Sequence, residues 1–166
     1  MSAPSGVVEP SRRTATERVA VLVATVGGLG YAPIAPGTVA SAVTVLAVWL
    51  LKPSAASMAV ASVIVIAGGM LAAQGAESAL GGGKDPGAIV IDEVAGMLLT
   101  VLLAPPTPLV LAVGFVLFRI FDVVKVFPAD RAERLPGGLG VMLDDVIGGL
   151  YGLAVLSVLR SLLAWP

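Results

Sequence analysis

Seven of the eleven acidic residues carry the chemistry that this sequence could perform: Glu77, Asp85, the adjacent pair Asp92 and Glu93, Asp122, and the adjacent pair Asp144 and Asp145. Asp92 and Glu93 stand inside AIVIDEVAGMLLT, an apolar stretch after which no charge follows until Arg119. Placing carboxylates in such surroundings costs free energy, so something must offset them. The chain has no His and no Cys. That removes the commonest general base, the commonest transition-metal ligand and any thiol nucleophile. Oxygen ligands alone select a hard ion, Mg²⁺ or Mn²⁺. Mg²⁺ takes one or two protein carboxylates and keeps positions for water and phosphate oxygens.

Cations and glycines stand near these acids. In FRIFDVVK, Arg119, Asp122 and Lys125 are three residues apart and share one side of a helix. Asp122 could bind metal there while Arg119 and Lys125 hold phosphate oxygens. The glycine-rich GGLGYAPIAPGT, ahead of a helix, could turn backbone N–H groups at Gly37 and Thr38 toward an anion. GGLGVMLDD delivers Asp144 and Asp145, which point about 100° apart on a helix and so differ in role; the sequence leaves open which does what. A solvated row of acids at helix ends is the simpler account of any one of these residues. It is less adequate for all seven, because polar groups at membrane depth usually carry function.

The elements that must position these groups are helices. Hydrophobic residues make up 57% of the 166 and charged residues 13%, where a soluble domain would hold about 25%. Mean hydropathy is +1.00. Uncharged runs cover residues 19–51, 53–76 and 94–118, near the 20 or so apolar residues that a spanning helix needs. An integral membrane protein follows, all-α because lipid leaves open sheet edges unsatisfied. Residues 1–17 read as a disordered or interfacial tail, and 18–166 as one helical membrane domain of about six helices. Breakers divide it into helices near 38–51, 54–80, from Asp85-Pro86 to the PPTP turn, 109–126, and a last long segment, with a short helix at most in FPADRAERLPGG. If the Arg-rich tail is cytoplasmic, successive crossings place all seven acids, Arg119 and Lys125 at that same face. Only Lys52 and Arg160 lie opposite. A net charge of −1 gives no support to nucleic-acid binding.

Carboxylates, a hard metal and phosphate-holding cations at a membrane face point to phosphoryl chemistry on a lipid head group. His- and Cys-dependent phosphatases are excluded by composition. Neither D-x-D-x-T nor D-G-x-x-A-R occurs. The blocks GLGYAPIAPGTVAS, KDPGAIVIDEVAGM, FRIFDVVKVFPAD and GGLGVMLDDVIGG, in this order, resemble the phosphatidylglycerophosphatase A family of bacterial membrane lipid phosphatases. They span Gly28 to Gly149. The chain departs from the family pattern at Val126, where Pro is usual after the Lys, and at Ala40, where Gly is usual.

The resemblance implies Mg²⁺-dependent removal of the terminal phosphate of phosphatidylglycerol phosphate, giving phosphatidylglycerol. It implies a multi-pass protein of the bacterial cytoplasmic (inner) membrane with its site facing the cytoplasm. It marks Asp92, Glu93, Asp122, Asp144 and Asp145 as the catalytic carboxylates, and Asp92, Glu93, Asp122 and Asp145 among them as metal ligands. Arg119, Lys125, Gly37 and Thr38 become phosphate partners; Glu77 and Asp85, placed at the same face by the crossings alone, are secondary candidates. Attack by a metal-activated water is the expected mechanism, with a covalent aspartyl-phosphate route as the variant. The rival from another class is a small ion-coupled transporter, which would distribute acids along the membrane depth instead of gathering them.

Overall fold

A computed structural model describes residues 13–81 and 86–164. Asp85 and residues 1–12 of the sequence-assigned tail lie outside the described residues. The rest of that tail enters the first helix, α1 (Ala15–Ala24). Thr14 starts it with a capping box: its hydroxyl accepts the Glu17 N–H at 3.2 Å, and its own N–H donates to Glu17 Oε2 at 2.7 Å.

After a single 3₁₀ turn (Leu29–Tyr31) come α2 (Pro36–Leu51), α3 (Ala55–Ala79), α4 (Ile91–Thr100), α5 (Pro108–Val124), α6 (Ala129–Ala132) and α7 (Gly138–Leu163). The described residues therefore form seven helices, α6 being one turn, and contain no strand. The boundary signals are local. Pro36 and Pro108 occupy first-turn positions, where a missing N–H is harmless. Ser54 and Thr107 cap α3 and α5 with their hydroxyls. Lys52 ends α2 in a left-handed conformation ahead of Pro53.

One element departs from expectation. The helix expected to open at Asp85-Pro86 starts instead at Ile91. The preceding residues are held in a non-helical path, with Ile89 N–H bonded to Pro86 O at 2.8 Å and Val90 N–H to Ala24 O at 2.9 Å. Docking on the end of α1 thus overrides the Pro start signal. At ten residues α4 is about 15 Å long, half of a ~30 Å hydrocarbon layer. Asp92 and Glu93 consequently occupy its first turn, where the helix dipole favours carboxylates.

Helices α4 and α7 form the centre. They lie parallel and nearly touch. A Cβ on Gly149 would strike the Gly96 backbone, and one on Gly152 the Thr100 side chain. Thr100 Oγ1 donates to its own helix at Gly96 O (2.9 Å) and lies 3.2 Å from Gly149 O across the crossing. In lipid such close small-residue packing and interhelical hydrogen bonding replace the hydrophobic drive. Helices α3 and α5 run antiparallel to α7: Gly138 lies against Met70 and Gln74, Gly69 against Met142, and Gly114 against Leu156. Helix α2 runs parallel to α4, with Gly37 against Glu93. One end of the bundle therefore collects the N-termini of α2 and α4, the first turns of α7, and the C-termini of α3 and α5.

Two buried clusters stack along the bundle. Ala24, Ala73, Ala76, Ala95 and Met142 fill it toward that end, and Met97, Val101, Leu111, Phe118 and Leu156 fill the other. Large apolar side chains also cover the outside, among them Val60, Val63, Ile64 and Leu71 on α3. Helices α3 and α7 are long and apolar enough to cross a membrane. The outward apolar faces fit a chain associated with lipid.

Candidate active site

The end where the helix starts gather encloses a cavity of about 260 Å³, lined by residues from four separate stretches of chain. Ala35, Pro36 and Gly37 come from the start of α2, and Gly87 and Ile89 from the segment before α4. Asp92 and Glu93 come from α4, Arg119 and Asp122 from the last turns of α5, Lys125 from its cap, and Asp144 and Asp145 from α7. All five acids assigned as catalytic from the sequence, both cations and Gly37 thus meet in one place. Thr38, half-buried on α2, is not part of the lining. Glu77 is buried on α3 and does not line the cavity either. Asp85 lies outside the described residues.

Local geometry explains how the acids converge. Asp92 and Glu93 are adjacent at the start of α4, Asp92 buried and Glu93 half-buried against α2. Gly37 makes room for Glu93: a Cβ there would fall on the Glu93 carboxylate. Asp144 and Asp145 sit two turns into α7 and are 7% and 3% exposed. Asp145 arrives beside α4 because Gly96 lets the α7 backbone approach at Asp145 O.

The charges sort into two kinds. Arg119 Nη1 and Asp122 Oδ2 are 2.5 Å apart as an ion pair, although neither atom is in a well-directed hydrogen bond. Lys125 Nζ donates to Asp144 Oδ2 at 2.8 Å and lies 3.1 Å from Glu133 Oε1. Burial alone would lower the Lys125 pKa, but the hydrogen bond and charge of Asp144, and then those of Glu133, raise it above the ordinary lysine value. The ammonium therefore stays charged. Asp92, Glu93 and Asp145 form the second kind: each offers a carboxylate oxygen, and these lie within 4.8 Å of one another. The Glu93 side chain also contacts that of Asp92, and the Asp145 side chain that of Asp122. Carboxylates in contact need a proton or a cation between them.

A divalent ion fits this donor set. Five carboxylates face two cations across the lining, so negative charge is in excess. Glu93 Oε2 is buried with no hydrogen-bond partner, and every donor is an oxygen. Among the described residues the site acids gather at one end, unlike the distribution along the membrane depth that an ion path would need.

Glu133 is the participant that sequence reading missed. It belongs to the charged segment after α5 and reaches Lys125 only because the chain turns at Val126–Pro128 and passes through α6. Nothing in the local pattern distinguishes it from Asp130, which pairs outward with Arg134 at 3.8 Å.

The chain is similar to several known proteins. A family model described as phosphatidylglycerophosphatase A matches residues 22–160. A Bacteroides thetaiotaomicron protein is 37% identical over 150 residues, 84% of this chain and 92% of that protein; its provisional name is phosphatidylinositol-3-phosphatase. Phosphatidylglycerophosphatase A of Escherichia coli K12 is 34% identical over 144 residues, 84% of this chain and 81% of its own length. Phosphatidylglycerophosphatase A of Haemophilus influenzae Rd is 37% identical over 82 residues, covering 48% of this chain and 50% of its own. No solved structure matches.

Proposed function

The chain belongs to the phosphatidylglycerophosphatase A family, and we propose that the carboxylate cavity is where it removes the terminal phosphate of phosphatidylglycerol phosphate with the help of Mg²⁺. Membership makes it a lipid phosphatase of phospholipid synthesis. The observation that carries the site assignment is the meeting of five carboxylates with Arg119 and Lys125 in one cavity. The bundle's ends support a cytoplasmic orientation. Arg13, Arg18, Arg119, Lys125, Arg131 and Arg134 belong with the cavity end, and Lys52 and Arg160 with the other, as the positive-inside rule favours. On this reading the bundle crosses the membrane several times, with α4 as a half-length element.

Asp92, Glu93 and Asp145 would hold the ion, with Asp122 beside them. A bound Mg²⁺ supplies Lewis acidity toward the phosphoryl oxygens and lowers the pKa of water next to it. Arg119 and Lys125 direct N–H donors at the equatorial oxygens, where charge grows as the P–O bond to the glycerol breaks. Ion pairs to Asp122, and to Asp144 and Glu133, hold the two side chains at the cavity before substrate arrives. Asp144, fixed by Lys125, orients the attacking water and receives its proton. That proton passes on to the glycerol oxygen as it leaves, so the products are phosphatidylglycerol and inorganic phosphate and the carboxylate is restored.

Phosphate release from phosphatidylglycerol phosphate by purified protein tests this directly. Activity should require Mg²⁺, vanish on chelation, and fall about 10²–10⁴-fold in Asp92→Asn, with folding intact by circular dichroism. Full activity in both Asp92→Asn and Asp122→Asn would sink the site assignment. The Bacteroides relative motivates one second substrate: phosphatidylinositol 3-phosphate. A higher kcat/KM on that lipid would transfer the reading to it without changing the site.

A further inference from the structure

A second hollow begins where the carboxylate cavity ends. It is a groove of about 340 Å³ between α2, α3 and α4, walled by residues that include Ala40, Ala47 and Val48 of α2, Met58 and Ala61 of α3, and Leu98 of α4. Both of the helices that it shares with the cavity pass from one to the other within a turn. On α2, Gly37 lines the cavity and Ala40 the groove; on α4, Glu93 lines the cavity and Val94 the groove. The wall is apolar in effect as well as composition. Its two hydroxyls are spent locally, Thr44 on Ala40 O at 2.8 Å and Ser57 on Ser54 O at 2.9 Å. Small side chains at Ala40, Ala47 and Ala61 make the concavity between bulkier neighbours. Along α2 the groove runs from Ala40 to Leu51, about 16 Å at 1.5 Å per residue. That is the depth of one leaflet of a ~30 Å hydrocarbon layer.

A lipid phosphate must place its chains in a leaflet while its terminal phosphate meets the carboxylates. We propose that this groove seats one acyl chain of the lipid-phosphate substrate, so that α2 and α4 measure the lipid from phosphate to chain. The inference rests on the lipid phosphatase reading and adds to it the part of the protein that recognises the chain. Seating the chain in a fixed groove fixes the phosphate relative to the carboxylates, which is how remote binding serves the reacting centre.

Two measurements test it. In the first, Ala47→Trp and Ala61→Trp fill the groove, and Val63→Trp places the same indole on the outward face of α3, where Val63 is exposed. With a dioleoyl substrate in mixed micelles, KM should rise about tenfold in the two groove variants and stay within about twofold in Val63→Trp. With a dihexanoyl substrate all three should match the wild type within about twofold, which also shows that they fold. Equal effects on both chain lengths, or no effect on either, would overturn the proposal. In the second, wild-type protein is photolabelled with a phosphatidic acid that carries a mid-chain diazirine. Label should concentrate on α2 and α3 at the groove and be competed by unlabelled phosphatidic acid but not by phosphatidylcholine. Label spread evenly over the apolar exterior, or indifferent to competitor, counts against the groove. Labelling needs no turnover, so a groove that labels in a protein releasing no phosphate retains the chain site and removes the phosphatase reading.

Discussion

Glu93 rests its carboxylate on the backbone of α2 at Gly37, so the smallest substitution that reaches the cavity without removing a reacting group is Gly37→Ala. The new methyl would occupy the place of the Glu93 carboxylate. That carboxylate is the far end of a flexible side chain, so it swings away and the helix stays. Stability should barely change, while the Mg²⁺ concentration that half-saturates phosphate release should rise about 10–100-fold, the range found when a ligand loses its orienting support. Magnesium titration of activity beside thermal unfolding checks both halves. An unchanged Mg²⁺ requirement would detach Glu93 from the ion. Residue types alone exposed most of this site. With His and Cys absent, Asp92, Glu93, Asp122, Asp144 and Asp145 were nearly the whole reactive inventory of the apolar segments. Glu133 escaped because its partner Lys125 is joined to it by a tertiary turn and not by helical spacing.

Between elements, the α4–α7 crossing decides whether the two acidic pairs can face each other. Gly96 and Gly149 meet backbone to backbone there. Gly149→Ala has no flexible side chain to displace, so the helices must separate. It should destabilise the protein by about 1–3 kcal/mol, as overpacking does, and lower activity as Asp145 withdraws from Asp92 and Glu93. Thr100→Val, which removes the hydroxyl beside Gly149 O, should cost only about 0.6 kcal/mol. Unfolding in detergent measures the pair, and a reversed order would mean that hydrogen bonding and not close approach holds the crossing. The sequence made α2, α3 and α5 legible through Pro, Ser and Thr at their starts, and α7 through the length of its apolar run. It did not reveal the start of α4. Pro86 signals a helix, but the bond from Val90 N–H to Ala24 O joins residues 66 positions apart, and no local pattern carries such a contact. Nor did the glycines at 96 and 149 announce that they would meet.

For the molecule as a whole, the gathering of charge at one end makes orientation testable. The chain has no Cys, so single cysteines report alone. Lys52→Cys should react with a membrane-impermeant maleimide added outside intact cells, and Arg134→Cys only after the membrane is opened. The opposite pattern would turn the cavity outward. The cavity's own wall has a further consequence, for biosynthesis. Its lining runs from Ala35 to Asp145, and its two acidic pairs leave the ribosome 52 residues apart. At about 5–20 residues per second, Glu93 waits roughly 3–10 s for Asp145 to be made. On the proposed site assignment, a nascent chain during that interval holds half of the carboxylate cavity and no hydrolytic power, because the other half, and the helix against which α4 packs, do not yet exist. With the proposed site, enzymatic competence arrives with the last helix, and a stalled or clipped product lacking α7 should leave the lipid around it unconsumed.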